Sequence, residues 1–325
     1  MGVIPCQNAT LGDINTKIIV NEYLPKAIDG DALEQDKREL KEQMASLRLF
    51  DLRLDCPTYA CIILFGKNPK YFLPGDYVQF VRFAGEDKAS DIENEKSFNG
   101  NLWEVLPKLD ALLDYSIIEQ RPVAVSTLKE KIVFNYPQWA IRELLMNAVM
   151  HRDYQSNTPI HLYQFANRVE IMNAGGLYGN ARPENFPTVN DYRNPIVSEA
   201  MKLLGYVNKF NRGVDRVQTV LKENGNPLAE FTVDKLTVFE VVVEESKSNF
   251  YGGTKSGTKS FDEIRITILE FCQTPRSLSD IARELGYSDK AKFKAKYINP
   301  LLGEQLQMTL PDTPKSKYQM YKTIL

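Results

Sequence analysis

The chain has 325 residues, 43% of them hydrophobic and 25% charged, a balance that builds folded cores and excludes a largely disordered protein. With 40 Lys and Arg against 42 Asp and Glu the net charge is −2, so any nucleic-acid surface must be a local patch. Four scattered cysteines without a CxxC pair and only two histidines argue against disulfides, zinc or a histidine metal centre, and fit a reducing cytoplasm. The apolar run Tyr59 to Phe65 is far shorter than the ~20 residues that span a bilayer, and no secretory signal is seen at the N-terminus.

In chain order, Asp31 to Phe50 reads as a helix, with Leu33, Leu40, Met44 and Leu47 at helical spacing. Tyr59 to Phe65 reads as a short buried strand, and Tyr77 to Phe83 as a second strand followed by an acidic, polar loop. Leu102 to Asp114 is expected to be helical, and Ala124 to Phe134 to return to the sheet. A helix starts at Pro137, a good first-turn residue, and runs to about His151. Ile160 to Phe165 and Arg168 to Met172 are strands joined by a short turn. After a loop rich in Gly, Asn and Pro come helices at Ile196 to Leu204 and Val214 to Asn224, then a closing strand at Val238 to Val243.

Residues 244–260 change character, with Gly-Thr-Lys-Ser twice in tandem, and read as a flexible linker spanning roughly 20–25 Å. The repeat lacks the Gly-Lys pair and the strand-to-helix setting of a phosphate-binding P-loop. Beyond it, Asp262 to Cys272, Leu278 to Leu285 and Lys290 to about Leu302 read as three helices, and Gln305 to Leu310 and Tyr318 to Ile324 as two strands. Three helices followed by a hairpin make a winged helix.

Three constellations could carry chemistry. Glu143, Asn147 and His151 recur every four residues, so they share one face of a helix whose other face, with Leu144, Leu145, Ala148 and Val149, is apolar. Such a row suits a metal-bridged phosphate: the carboxylate can orient or deprotonate water, and the amide oxygen can ligate a hard cation. The plain alternative is a solvated stripe on an amphipathic helix. Asn173-Ala174-Gly175-Gly176-Leu177 follows a strand, and its glycines allow close approach of backbone to a ligand, or simply make a turn. Asp191-Tyr192-Arg193-Asn194-Pro195, and Asn211-Arg212-Gly213 before a helix, could bind phosphate or merely cap helices.

In this order the segments Arg-Glu-Leu-x-x-Asn-Ala-x-x-His-Arg-Asp-Tyr, strand-turn-strand, Asn-x-Gly-Gly-Leu, Arg-Asn-Pro and a late glycine turn resemble a divergent GHKL-type ATPase domain. That domain occurs in bacterial Schlafen-like, RecG-related transcriptional regulators. The resemblance extends to Pro57-Thr58-Tyr59-Ala60, Leu64-Phe65-Gly66-Lys67-Asn68-Pro69 and the C-terminal winged helix. It implies an α/β (α+β) chain in which a two-layer sandwich of helices on a mixed sheet carries the nucleotide. The expected divisions are an N-terminal α/β extension (1–123), an ATP-binding domain (124–245), a linker (246–260) and a winged helix (261–325). Glu143 would match the water-activating glutamate and Asn147 the magnesium-binding asparagine. His151, Asn173, Gly175, Gly176, Arg193, Asn194 and Gly213 would stand around ATP and Mg2+. The chain departs from the pattern where Asn173 stands near the usual adenine-reading aspartate, and where Asn211-Arg212-Gly213 replaces the lid's Gly-x-Gly. Relatives of this kind begin with an AlbA-type nucleic-acid-binding module, and this chain starts about where that module would end.

From Leu285 to Leu325 there are seven basic and three acidic residues, net +4. Lys292, Lys296 and Asn299 form a stripe suited to a recognition helix, with Lys315 and Lys317 on the wing able to touch phosphate. Two readings follow: an ATP-responsive DNA-binding regulator with slow ATPase activity in reach, or a non-enzymatic scaffold whose nucleotide site has degenerated. The expected partners are DNA and a nucleotide but no membrane, with self-association left open.

Overall fold

The computed structural model describes residues 2–126, 128–189, 191–207, 213–246, 261–285, 287, 290–303, 305–311, 313, 316 and 318–324. The chain forms two compact units, Met1–Gly253 and Thr254–Leu325.

The first unit is built on a six-stranded mixed sheet in the order Ile92–Asn99, Tyr77–Phe83, Ile160–Gln164, Arg168–Ala174, Val238–Glu244, Glu230–Thr232. Every neighbouring pair is antiparallel except Tyr77–Phe83 with Ile160–Gln164. Alternation along each strand sends Phe80, Leu162, Val169, Ile171, Val241 and Val243 to one face, where they join the main core beneath the helices. The opposite face carries polar pairs: Gln79 Nε2 donates to Glu95 Oε1 (2.6 Å), and Arg168 Nε to Glu170 Oε1 (2.8 Å). The result is the expected α+β arrangement of helices on a mixed sheet. Two of the six strands come from residues 77–99, so the sheet is not confined to residues 124–245.

Four local expectations are corrected. Tyr59–Phe65 is a helix, not a strand, with Thr58 Oγ1 accepting from Cys61 N at its start. Ala60 to Phe65 are all buried, and a run buried on every side has no period to separate helix from strand. The stretch after Gly85 is not all loop: Ile92–Asn99 is an edge strand, polar because only Phe98 is buried. Residues 124–134 do not return to the sheet; Gln120–Ser126 and Lys129–Phe134 pair with each other as a separate hairpin. Asp31 to Phe50 is two helices, Gly30–Gln35 and Leu40–Ser46. They are parted at Asp36, whose carboxylate accepts from Arg38 N (3.0 Å) and Nε (2.8 Å) and so favours a turn over helix continuation. The expected linker also starts too early. Ser246 is buried, with its N–H donating to Asn135 O and its Oγ to Asn224 O (3.0 Å). The rest of that expectation, residues 247–260, lies outside the described residues.

Gln138–His151 is the central helix of this unit. Its last carbonyls need partners, and no glycine follows to supply a turn. Side chains take over: Tyr154 Oη donates to Val149 O (3.1 Å), and Asn194 Nδ2 donates to Met150 O (3.0 Å) and Arg152 O (2.7 Å). Arg152 is 1% exposed, and its Nη2 donates to the carbonyls of Gly75 (2.7 Å), Ser156 (3.0 Å) and Thr158 (2.7 Å). The helix end is thereby tied to two separate loops and to the start of the Pro195–Leu203 helix.

The second unit has helices at Phe261–Phe271 and Leu278–Glu284, then a helical stretch from Lys290 to Leu301. A three-stranded antiparallel sheet of Arg276–Ser277, Met320–Thr323 and Leu306–Met308 closes it. Ser277 Oγ caps the second helix by accepting from Asp280 N (3.2 Å). Ile264, Ile268, Ile281, Phe293, Ile298 and Tyr321 belong to its own core.

Replacing Arg152 with Met should cost about 3–5 kcal/mol of stability, because three carbonyls lose their donor and Asp76 loses a nearby buried cation. Urea unfolding of the first unit measures this; a loss below about 1 kcal/mol would mean that the guanidinium does not hold this joint.

Candidate functional site

A cleft of about 1180 Å³, counting the open space at its mouth, lies between the Gln138–His151 helix, the Arg168–Ala174 strand and the first turn of the Gly213–Asn224 helix. It brings together Glu143, Asn147, His151, Asn173, Gly175, Gly176 and Gly213, seven residues from three segments of the chain. The row at four-residue spacing therefore lines a concavity and is not a solvated stripe.

Glu143 is 8% exposed. Burial pushes its carboxyl above the ordinary range, against the opposing pull of Arg142, Arg216 and a hydrogen bond with Asn147. A carboxylate of raised pKa that is tied to an amide suits proton abstraction from water. Gly213 packs directly against this carboxylate: a Cβ there would collide with Glu143 Oε1 and stand 3.2 Å from Cδ. The glycine therefore lets the start of the Gly213–Asn224 helix close over Glu143. Asn211 and Arg212, which precede Gly213 in the chain, lie outside the described residues.

His151 stacks on Tyr192, with ring centroids 5.7 Å apart, and Lys202 lies 4.7 Å over the other aromatic partner's centroid. Burial first, and Arg193 second, lower the imidazole pKa from 6.5 to about 4, so His151 is neutral at physiological pH. A neutral ring can accept or donate one hydrogen bond but supplies no charge to a phosphate.

The two glycines after the strand serve different needs. Gly175 has φ +91°, where L side chains are strained, and donates to Thr237 O (2.7 Å). At Gly176 a Cβ would collide with Lys235 O and come within 3.0 Å of Leu236 O. This turn is thus built for close backbone packing, and it also lines the cleft. On the adjoining strand Asn173 is 3% exposed, and its Oδ1 has no hydrogen-bond partner.

Arg193 and Asn194 are not among the cleft-lining residues. Arg193 Nη2 donates to Gly176 O (3.0 Å) and its Nη1 lies 3.7 Å from Asp153, so it braces the glycine turn from behind. Asn194 is spent on the helix carbonyls described above. Their expected ligand contacts are thereby replaced by supporting ones.

Three cleft residues, Phe186, Phe231 and Phe239, carried no sequence signal. Phe186, Phe231 and Phe239 form one aromatic wall, with centroids 5.4–6.1 Å apart. They come from three separate segments and share no spacing.

Among the described residues there is no group of three or more His, Cys, Asp and Glu side chains that could enclose a metal. Mg2+ usually takes only one or two protein ligands and completes its shell with substrate phosphate and water, a demand that Asn147 beside Glu143 can meet. In the second unit Lys292, Lys296 and Asn299 are exposed, while Phe293, Ile298 and Leu301 are buried. Lys315 and Lys317 lie outside the described residues. No helix is long and apolar enough to cross a membrane among the described residues.

Residues 157–243 match a family model described as "Putative ATP-dependent DNA helicase recG C-terminal", an ATPase-like domain. Residues 263–323 match the C-terminal domain of Fic-like proteins, described as filamentation induced by cAMP. The fold is similar to the crystal structure of the DIP2311 protein from Corynebacterium diphtheriae, with a TM-score of 0.57 and 18% identity. That alignment covers 90% of this chain and 59% of the other, so the chain spans less than two thirds of its structural neighbour. No curated protein matches the chain.

The His151 environment has a consequence for acid stability. The folded imidazole stays neutral down to about pH 4, whereas the unfolded one takes up a proton near 6.5. Between these values the unfolded chain binds more protons, so stability is full above pH 6.5 and falls as the pH drops. Urea unfolding at pH 7 and pH 5 should show His151→Gln losing about 2 kcal/mol less than the wild type over this interval. Equal losses in the two proteins would contradict a neutral His151.

Proposed function

We propose that the first unit binds Mg-ATP in the cleft and that the second, a winged helix, binds DNA, making the chain a nucleotide-responsive regulator. The reading is of a divergent GHKL-type site of the Schlafen-like, RecG-related kind. The observation that carries it is the convergence of Glu143 and Asn147 on one cleft with Asn173 and Gly213, which lie within the ATPase-like match of residues 157–243.

In this reading the phosphates lie near Glu143, Asn147 and the helix start at Gly213, because helix N-termini favour anions. Asn147 contributes its amide oxygen to Mg2+, which when bound neutralises phosphate charge. Glu143, held above its ordinary pKa, orients and deprotonates the attacking water. Its own burial beside Gly213 keeps bulk solvent away from that proton transfer. The aromatic wall of Phe186, Phe231 and Phe239 offers apolar area for a base.

Calorimetric titration with ATP and Mg2+ tests the reading. Wild type should bind, Asn147→Ala should weaken binding by about tenfold or more, and Glu143→Gln should keep binding while turnover falls by about a hundredfold. Absence of heat in the wild type would favour the alternative of a scaffold with a degenerate site.

The DNA reading rests on the exposed Lys292, Lys296 and Asn299 stripe and on the +4 charge of residues 285–325. Binding to duplex DNA should be weak and salt-dependent, since each phosphate contact releases counterions with a slope of about 0.9. Replacing Lys292 and Lys296 together by Ala should lower the salt slope by about one to two. An unchanged slope in a filter-binding or anisotropy series would remove this surface from consideration.

A further inference from the structure

We propose that Arg216 is the cation that takes the terminal phosphate of the bound nucleotide, and that it leaves the face of Trp139 to do so. The proposal rests on the nucleotide reading above and adds to it the group that tells a triphosphate from a diphosphate.

The cleft poses a charge problem. Its lining holds the carboxylates of Glu143, Asp191 and Asp215 but, among the described residues, no lysine or arginine. A triphosphate stays anionic after Mg2+ has bound, and phosphoryl transfer relies on cations placed at its oxygens. His151 is neutral and supplies none. Nearby cations are committed elsewhere: Arg142 Nη2 donates to Tyr206 O (2.8 Å), and Arg193 Nη2 to Gly176 O (3.0 Å). Lys202 sits on Tyr192 beside His151, which is about 12 Å along the helix from Glu143 at a rise of ~1.5 Å per residue.

Arg216 differs from these in freedom and in place. It is exposed, and among the described residues it has no hydrogen bond and no ion pair. Its guanidinium carbon instead lies 4.1 Å over the Trp139 ring centroid. Two helices bring it to the site. Trp139 precedes Glu143 by four residues, so it continues the row of Glu143, Asn147 and His151 by one turn. Arg216 follows Gly213 by three residues, and Gly213 is where its helix packs on the Glu143 carboxylate. Val214 and Asp215, between them, line the cleft. The charge of Arg216 is felt at Glu143, where with Arg142 it opposes the rise that burial causes. A cation stacked on a ring at an exposed site is held more weakly than a guanidinium hydrogen-bonded to phosphate. The stack is therefore a resting place that a terminal phosphate near Glu143 displaces.

The test follows Trp139 itself. The chain has two tryptophans, Trp103 and Trp139, so Trp103→Phe leaves Trp139 as the sole emitter. Saturation with Mg2+ and the non-hydrolysable ATP analogue AMP-PNP should change its emission, whereas saturation with Mg-ADP, which lacks the terminal phosphate, should leave it unchanged. In calorimetry on the full chain, Arg216→Ala should weaken AMP-PNP by about tenfold or more and hold ADP within about twofold. Turnover of ATP should fall by about a hundredfold or more in the same variant. Arg216→Lys keeps the charge but loses the planar fork, and should recover only part of the AMP-PNP affinity. Unchanged AMP-PNP binding in Arg216→Ala, or equal weakening of AMP-PNP and ADP in a variant that unfolds in urea like the wild type, would overturn the proposal and leave the nucleotide reading standing. So would Trp139 emission that stays constant while AMP-PNP binds. If the wild type binds neither nucleotide, both fall together. The AMP-PNP and ADP emission series in the wild type decides the matter even if a variant does not fold.

Discussion

The structure of the first unit depends on how one helix ends. Gln138–His151 stops without a glycine, and its last carbonyls are satisfied by Tyr154 and Asn194, while the Arg152 guanidinium crosslinks the loops at Gly75 and at Ser156 to Thr158. These bonds set the rotation of the helix about its axis. Because residues four apart share a face, that rotation alone decides whether Glu143, Asn147 and His151 meet solvent, core or cleft. The same joint positions the strand end that follows, since Asp153 N donates to Ala174 O (2.8 Å) next to the glycine turn.

Two opposed demands meet in the cleft. Chemistry on a phosphate asks for polar groups, and a water-poor pocket penalises them. Glu143 resolves this by a hydrogen bond with Asn147 and by the nearby Arg142 and Arg216, and its carboxyl still rises above the usual range. His151 resolves it by remaining neutral against Tyr192. Asn173 Oδ1 is left unresolved by the protein. Support comes from behind, where Arg193 and Asn194 hold the turn and the helix end without themselves lining the site.

The second unit is small, yet its core is made by long-range closure. Thr323 N donates to Cys272 O (2.9 Å), and Thr323 Oγ1 to Leu269 O (2.6 Å), tying the last strand to the first helix. With the apolar side of the 290–301 stretch committed to that core, Lys292 and Lys296 are turned outward together. A shared exposed face is what allows the two lysines to act on one polyanion.

Elements with a clear period were legible from the residues alone. The helices near 138–151, 195–203 and 213–224, and the strands at 77–83, 160–164, 168–174 and 238–244, follow from apolar spacing that matches one-sided burial. The row Glu143, Asn147 and His151 was legible as one helix face, because a fixed helical repeat is a local property, whereas its grouping with Gly175, Gly176 and Gly213 came only from the family resemblance. Tyr59–Phe65 was not legible, since burial on all sides erases periodicity, and Ile92–Asn99 was not, since an edge strand exposed on both faces carries no alternation. Nor could spacing show that Arg193 and Asn194 brace the site from behind, or that Phe186, Phe231 and Phe239 join in one wall. Local sequence thus determined which residues could share a face. Only the tertiary structure decided what each face meets, because burial and hydrogen-bond partners arise from segments that the chain brings together from a distance.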